Sequence, residues 1–206
     1  MLNKPKNWEN VQAITESRKL PADGYIVKII AAKVKSYEYD GCSFDKLEVA
    51  LDINEGEYKG FYQEDFDAQK QEDKKWKGVK KFNVPTDDGS KADNFSQRVL
   101  KGATDALEES NPGYHWDWDE TKLKGKMVGC LFRLEEWHVN GKKGWKAQPF
   151  QFIPVEKIKT GNFKVPKFKP HKDFPNDTPD NYQEGVGESN SGFIPAEDEN
   201  DGDLPF

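Results

Sequence analysis

Residues 25–34, YIVKIIAAKV, and residues 47–53, LEVALDI, predict two β-strands and decide the fold class of the chain. The first run is rich in β-branched residues and has few polar positions, which is typical of a mostly buried strand. In the second run, apolar residues alternate with Glu48, Ala50 and Asp52, the period-two pattern of a strand with one buried face. A Tyr-Asp-Gly turn at residues 39–41 separates the two runs, so they predict an antiparallel hairpin.

Patterns further along the chain extend this hairpin to five strands and one helix. Glycines at 56 and 60 bracket a third predicted strand near residues 58–62, and residues 79–84 are expected to resume the pairing. Asp93 is predicted to cap a helix that ends at residues 111–113, Asn-Pro-Gly. Residues 125–137 and 145–153 predict the last two strands, joined by an Asn-Gly hairpin turn at 140–141. This order predicts a mainly β fold, a five-stranded OB-fold barrel with one helix between strands 3 and 4.

Charge and composition divide the chain into four parts. Residues 162–206 contain four lysines and ten acidic residues, a balance equal to the net charge of −6 of the whole sequence. We therefore predict an N-terminal arm or short helix at 1–19, in which Trp8, Val11 and Ile14 are spaced three apart. The OB-fold domain is predicted at 20–161, a disordered linker rich in proline, glycine and polar residues at 162–196, and an acidic tip at 197–206.

The acidic tip combines negative charge with an apolar aromatic ending. An exposed ring can enter a pocket on a partner while the α-carboxylate and neighbouring acids contact a basic rim. A purely solubilising tail would have no reason to end in such a ring. The residues predicted to bind partner proteins are Asp201, Asp203, Leu204, Pro205 and Phe206.

This ending resembles that of bacterial and phage single-stranded DNA-binding proteins, whose acidic tails finish in an Ile- or Leu-Pro-Phe tip. The resemblance implies an upstream OB-fold that holds DNA and a tip that docks replication, repair and recombination proteins. The chain departs from the pattern by having Gly202 within the acidic run and Leu204 where isoleucine is commoner. Residues 20–25, 54–60, 109–114 and 123–129 also resemble an uncharacterised phage family encoded among replication genes. That second resemblance implies a phage origin and a replication role, but no site.

Lysines interleaved with aromatic residues mark the candidate DNA-binding positions. Ammonium groups pair with phosphates, and flat rings stack on unpaired bases for ~1–3 kcal/mol per base. Trp76 and Trp145 are the leading predicted stacking residues, whereas Trp116 and Trp118 lie among acids and are predicted to be structural lids over the core. Trp137 is left open between core and groove. The candidates are Lys33, Lys35, Tyr37, Tyr39, Lys74, Lys75, Trp76, Lys77, Lys80, Lys81, Phe82, Lys142, Lys143, Trp145 and Lys146.

The sequence does not favour catalysis or a cofactor. It has no glycine-rich nucleotide motif, its three histidines are isolated in sequence, and neither cysteine has a ligand-like neighbour, so we predict no enzyme, no cofactor and no metal site. Glu136 and His138 would share one face of a strand, and a solvated face is the favoured interpretation over a catalytic cluster. Cys42 and Cys130 are predicted to be small core residues. With no signal peptide and no long apolar run, the predicted location is the cytoplasm, that of the host cell if the protein is phage-encoded.

These patterns together predict a sequence-independent single-stranded DNA-binding protein of phage replication or recombination, with no membrane partner. Its tip is predicted to recruit replication or recombination proteins. The alternative is an OB-like adaptor that binds a replication or recombination factor and contacts DNA only incidentally. The sequence leaves the oligomeric state open, including a homo-oligomer.

Overall fold

The computed structural model of the protein describes residues 3–6, 8 and 18–179. Several predictions therefore fall outside the described residues: Val11 and Ile14 of the predicted arm, residues 180–196 of the predicted linker, and the whole tip at 197–206. Trp8 is described and exposed. Within the described ranges, no helix is long and apolar enough to cross a membrane.

Five antiparallel strands form a single sheet, as the sequence predicted. The order in the sheet is β3-β2-β1-β4-β5, and each neighbouring pair is hydrogen-bonded. The edge strands β3 and β5 are not hydrogen-bonded to each other, so the sheet remains open. The strands are β1 (Gly24–Tyr39), β2 (Cys42–Ile53), β3 (Val79–Asn83), β4 (Met127–Val139) and β5 (Lys142–Ile153).

Both hairpin turns form where short-range sequence signals predicted them. Asp40 and Gly41 join β1 to β2 with φ of 48° and 74°, and Asn140 and Gly141 join β4 to β5 with φ of 50° and 73°. A two-residue turn with positive φ at both positions matches the twist of the flanking strands, and it favours Asn or Asp followed by Gly. The local residues therefore fix the register of both long hairpins.

The predicted third strand at residues 58–62 is wrong, because helix α1 (Phe61–Ala68) begins within that stretch. Gly60 precedes it in the left-handed conformation, with φ of 74°. The buried carboxylate of Asp52, near the end of β2, accepts hydrogen bonds from the backbone N–H groups of Tyr62 (2.9 Å) and Gln63 (3.3 Å). These amides of the first helical turn have no partner inside the helix, so Asp52 satisfies them and fixes α1 over β2.

The longest helix, α2 (Lys91–Ser110), lies between β3 and β4 as predicted, but a different residue caps it. The side chain of Ser90 accepts a hydrogen bond from the N–H of Asp93 at 3.0 Å, so Ser90 is the N-cap. Asp93 itself is buried and accepts from the N–H groups of Thr86 (2.6 Å) and Asp87 (3.1 Å). Its carboxylate therefore joins the β3–α2 loop to the first turn of α2.

The core lies between the sheet and α2, and it also brings the two edge strands together. Val27, Ile29, Leu51 and Phe132 are among the fully buried side chains. The rings of Phe82 on β3 and Phe152 on β5 meet edge to face, with centroids 5.2 Å apart. The sheet therefore curves until its edges meet through side chains.

A short helix, α3 (Val155–Lys159), follows β5, and the chain then returns along β4. The N–H of Lys169 donates to the carbonyl of Leu134 (2.8 Å), and the N–H of Glu136 donates to the carbonyl of Lys169 (3.0 Å). β1 pairs with β4 only as far as Leu131. Beyond Leu131, Lys169 takes the place of β1 beside β4 and forms a parallel bridge with Glu135. We call residues 163–179 the return segment. This first part of the predicted linker is in contact with the sheet.

Candidate nucleic-acid interface

A groove of about 1200 Å³ crosses one face of the sheet and is locally basic. It is lined by parts of β1, β2, β3, β5 and α1, and by residues 18–20 and 73–77. Three carboxylates, Glu48, Asp65 and Asp73, are outnumbered by eight cations, which gives the lining a net charge of +5 in a chain whose total is −6. We call this surface the lysine groove; its cations are Arg18, Lys19, Lys33, Lys35, Lys75, Lys77, Lys81 and Lys146.

Strand register explains why lysines from three strands share one side of the sheet. Lys33 and Lys35 are two residues apart on β1, so their side chains leave the same face. Lys33 pairs with Glu48 on β2, and Glu48 pairs in turn with Lys81 on β3. Lys46 lies opposite Lys35 and belongs to the same face. The alternation of β2, which buries Leu47, Val49 and Leu51, therefore turns Lys46 and Glu48 to the outside.

Glu48 is the negative centre of this face. Its carboxylate lies 3.3 Å from the ammonium of Lys81 and 3.8 Å from that of Lys33, and it accepts a hydrogen bond from the hydroxyl of Tyr37. Partial burial would raise the pKa of Glu48, but the hydrogen bonds from Tyr37 and Lys81 outweigh it, and the pKa lies below its ordinary value. Glu48 is therefore ionised at neutral pH and lies between the two lysines Lys33 and Lys81.

A stacked pair of rings continues the lysine groove towards the β1–β2 turn. Tyr37 and Phe44 face each other across the hairpin, with centroids 5.7 Å apart and planes inclined by 10°. The ammonium groups of Lys35, Lys81 and Lys46 lie 5.0, 5.3 and 5.7 Å from the centroid of the Tyr37 ring. Phe44 and Lys46 were missed by the sequence analysis, although the period-two pattern of β2 places them on the face of Glu48. Flat rings surrounded by cations are the elements that bind unpaired bases and their phosphates.

The two tryptophans predicted to stack on bases both line the groove, but they differ in their attachments. Trp145 is half-buried, and its ring meets Phe168 of the return segment edge to face at 5.5 Å. The indole N–H of Trp76 donates to the carbonyl of Leu51 at 3.0 Å, and its ring packs against the hydrophobic core beside Phe66. Trp76 therefore anchors the 73–77 segment to β2, and Trp145 is the better candidate for contact with a ligand.

Eight of the predicted DNA-binding residues line the lysine groove, and the others lie elsewhere. Tyr37 adjoins it as described, and Tyr39 is exposed near the β1–β2 turn. Phe82 is only 4% exposed and belongs to the core, so its ring is not accessible to a base. The residues within the groove are Lys33, Lys35, Lys75, Trp76, Lys77, Lys81, Trp145 and Lys146.

The remaining predicted lysines have other surroundings. The ammonium of Lys80 lies over the rings of Phe82 and Phe150 at 5.3 and 5.7 Å. Lys74 donates to the carbonyl of Asp67 at 3.1 Å, beside α1. Lys142 and Lys143 follow the β4–β5 turn, and Lys143 forms an ion pair with Asp177 at 2.5 Å.

Other sequence predictions away from the groove need correction. Trp118 is 71% exposed with a φ of 67°, so it does not act as a lid over the core, whereas Trp116 packs against the core as predicted. Trp137, left open in the sequence, is half-buried, and its ring lies against Gly144 of β5, where a Cβ would be 3.0 Å away. Cys130 is buried as predicted, but Cys42 is exposed beside the β1–β2 turn.

No protein-family model matches the chain, and no curated protein matches its sequence.

Proposed function

We propose that the protein binds single-stranded DNA without sequence preference, and that the lysine groove and the Tyr37–Phe44 pair form the binding surface. The observation that carries the proposal is the charge of the groove, +5 in a chain of net charge −6. Lysine ammonium groups interact with the phosphate backbone, which is the same for every sequence. Binding at this surface would therefore depend on salt and little on the order of bases.

The aromatic rings favour a single strand over a duplex. Bases in a duplex are stacked on each other, and their faces are not available to a protein side chain. Tyr37, Phe44 and Trp145 present rings at or beside the groove, and unpaired bases could stack on them. Cations close to the same rings would hold the adjoining phosphates.

Strand order supports the proposal that this sheet is an OB-fold. Five antiparallel strands in the order β3-β2-β1-β4-β5, with a helix between β3 and β4, are consistent with that small barrel. The contact between Phe82 and Phe152 brings the two edges of the sheet together as barrel formation requires. OB-folds bind oligonucleotides on the face of strands 2 and 3 and in the loops after strands 1 and 4, and residues of β2 and β3 contribute to the lining of the lysine groove.

From the sequence resemblance alone, we extend the proposal to a role in phage replication or recombination. In this extension, residues 197–206 recruit replication or recombination proteins, with Asp201, Asp203 and Phe206 among the contacting residues. This part is independent of DNA binding, because it concerns a different segment of the chain.

Fluorescence polarisation with labelled oligo-dT tests the DNA-binding proposal. The full-length protein should bind oligo-dT more tightly than a duplex of the same length. A triple variant, Lys33→Ala, Lys35→Ala and Lys146→Ala, should weaken binding and reduce the slope of log K against log salt by about 2, because each phosphate contact in single strands contributes ~0.7.

The matched control changes three exposed lysines outside the groove, Lys91→Ala, Lys124→Ala and Lys157→Ala, and alters the net charge equally. It should retain most of the affinity. Equal losses in the two triple variants would show that the groove is not the binding surface. Absence of binding by the unmodified protein at low salt would favour the adaptor function.

A further inference from the structure

Three side chains of metal-binding type converge where the return segment crosses β4, outside the lysine groove. Glu136 and His138 lie two residues apart on β4 and share one face of the strand, and Asp177 reaches them from the return segment. One potential ligand atom from each of the three residues lies within 4.8 Å of the other two. A solvated face was the favoured interpretation of Glu136 and His138 from the sequence, but the side chain of Glu136 is only 1% exposed.

Glu136 and His138 are each held in place by their neighbours. The Nε2 atom of His138 lies 2.9 Å from Oε1 of Glu136, and the N–H of His171 donates to Oε2 of Glu136 at 3.0 Å. The ring of His138 is stacked on Phe174, with centroids 4.5 Å apart and planes inclined by 12°. These contacts orient the carboxylate and the imidazole before any ligand arrives.

The charge of the cluster requires a cation. A carboxylate oxygen of Asp177 lies within 4.8 Å of one of Glu136, so two carboxylates meet at a site where one of them is almost fully buried. Such a pair is costly unless positive charge compensates it. Lys143 supplies an ammonium group 2.5 Å from Asp177 and 4.0 Å from Glu136, and its side chain is 59% exposed.

We propose that Glu136, His138 and Asp177 form a site for a divalent transition-metal ion, with Zn²⁺ as the best fit. One imidazole and two carboxylates are ligands that zinc accepts, with bonds of ~2.0–2.2 Å that place the ligand atoms roughly 3.4 Å apart. A divalent ion neutralises the two carboxylates without Lys143, which then swings outward. Because β4 supplies two ligands and the return segment supplies the third, the ion clamps the return segment to the sheet.

Zinc binding to the full-length protein, freed of metal with a chelator, tests this site. Calorimetry should detect one bound Zn²⁺, and Zn²⁺ should raise Tm because the ion binds only the folded arrangement. Co²⁺ should give the visible absorption of a low-coordinate site containing nitrogen and oxygen ligands.

The variants Asp177→Asn and His138→Gln should each weaken Zn²⁺ binding by more than the roughly 10- to 100-fold that loss of an outer-shell contact costs. Asp177→Asn changes only the return segment, so it keeps the test valid if His138→Gln disturbs the sheet. His115→Gln, a change at an exposed histidine, is the matched control and should bind Zn²⁺ normally. Lys143→Met should bind Zn²⁺ more tightly, because it removes a competing cation.

Two results would overturn the proposal. Zinc affinity unchanged by Asp177→Asn and by His138→Gln would place the ion elsewhere. Zinc binding by Lys143→Met but not by the unmodified protein would show that the ammonium of Lys143 is the resident cation and that the cluster is an internal ion-pair network.

Discussion

Replacing Glu48 by glutamine should tighten the binding of single-stranded DNA. In the free protein the carboxylate of Glu48 holds Lys81 and Lys33 at 3.3 and 3.8 Å. A phosphate that docks between these two lysines must compete with that carboxylate and is repelled by it. Glutamine has the same shape and its amide oxygen can still accept the hydrogen bond from Tyr37, so the change removes charge with little change in packing.

The size of the effect follows from these two ion pairs. A partly exposed lysine–carboxylate pair contributes ~0.2–1 kcal/mol. Glu48 is only 14% exposed, so solvent screens it less than a surface carboxylate, and the upper half of that range applies. Two pairs give about 1–2 kcal/mol, which corresponds to roughly 5- to 30-fold in Kd, since 1.4 kcal/mol is tenfold.

The assay is a polarisation titration with oligo-dT at low salt, and Glu38→Gln is the matched control. Glu38 follows Tyr37 on β1, so its side chain leaves the opposite face of the hairpin while the change in net charge is the same. We expect Glu38→Gln to leave Kd within about twofold, as is usual for exposed charges. An unchanged or weaker Kd for folded Glu48→Gln, or equal tightening by both variants, would refute competition by Glu48.

Three further predictions concern other parts of the chain. Trp145→Ala should cost ~1–3 kcal/mol of DNA binding with little change in Tm. Trp76→Ala should instead lower the free energy of unfolding by about 2–4 kcal/mol in a denaturant titration, because it removes core packing and the hydrogen bond to Leu51. The opposite result for the two variants would mean that Trp76 contacts DNA and Trp145 stabilises the fold. A thiol reagent at pH 8 should label Cys42 in the native protein but not Cys130, because burial raises the pKa of the Cys130 thiol to about 12. Mass spectrometry counts the labels, and two labels on the native protein would contradict the burial of Cys130. Deletion of residues 197–206 removes five acidic residues and should tighten DNA binding at low salt. At high salt the deletion should have no effect, because salt screens the attraction between this segment and the groove. A gain in DNA affinity that persists at high salt would exclude an electrostatic origin.

Local sequence signals predicted the two long hairpins. The positions of α1 and the return segment depend on tertiary contacts, so these signals did not predict them. Asp-Gly and Asn-Gly at 40–41 and 140–141 fix two-residue turns through their own backbone preferences, so the register follows from the residues themselves. α1 was missed because its position depends on a tertiary contact, the hydrogen bond that the N–H of Gln63 donates to the carboxylate of Asp52 on β2. The return segment has no apolar periodicity, and its docking depends on paired contacts such as His138 with Phe174.

Residue type predicted which kinds of side chain the candidate site contains, namely lysines and aromatic rings. Strand pairing determines which of these residues lie together. Lys33, Lys35 and Trp145 came from separate lysine and aromatic clusters in the sequence, and the structure brings them into the lining of one groove. The same clusters included Phe82, because composition does not reveal which face of a short strand is buried. Phe44 was missed because it has no lysine beside it in sequence, and only the pairing of β1 with β2 brings it onto Tyr37.

Photo-crosslinking tests the central claim most directly, because it reports both binding and its location. Oligo-dT carrying 5-iodo-deoxyuridine is irradiated with the full-length protein, and the crosslinked peptides are identified by mass spectrometry. Binding through the lysine groove predicts crosslinks at Tyr37, Phe44 and Trp145, and their loss in the Lys33, Lys35, Lys146 triple variant. Crosslinks confined to Trp116 and Trp118, or none under conditions where polarisation shows binding, would contradict the assignment of the groove as the DNA-binding surface.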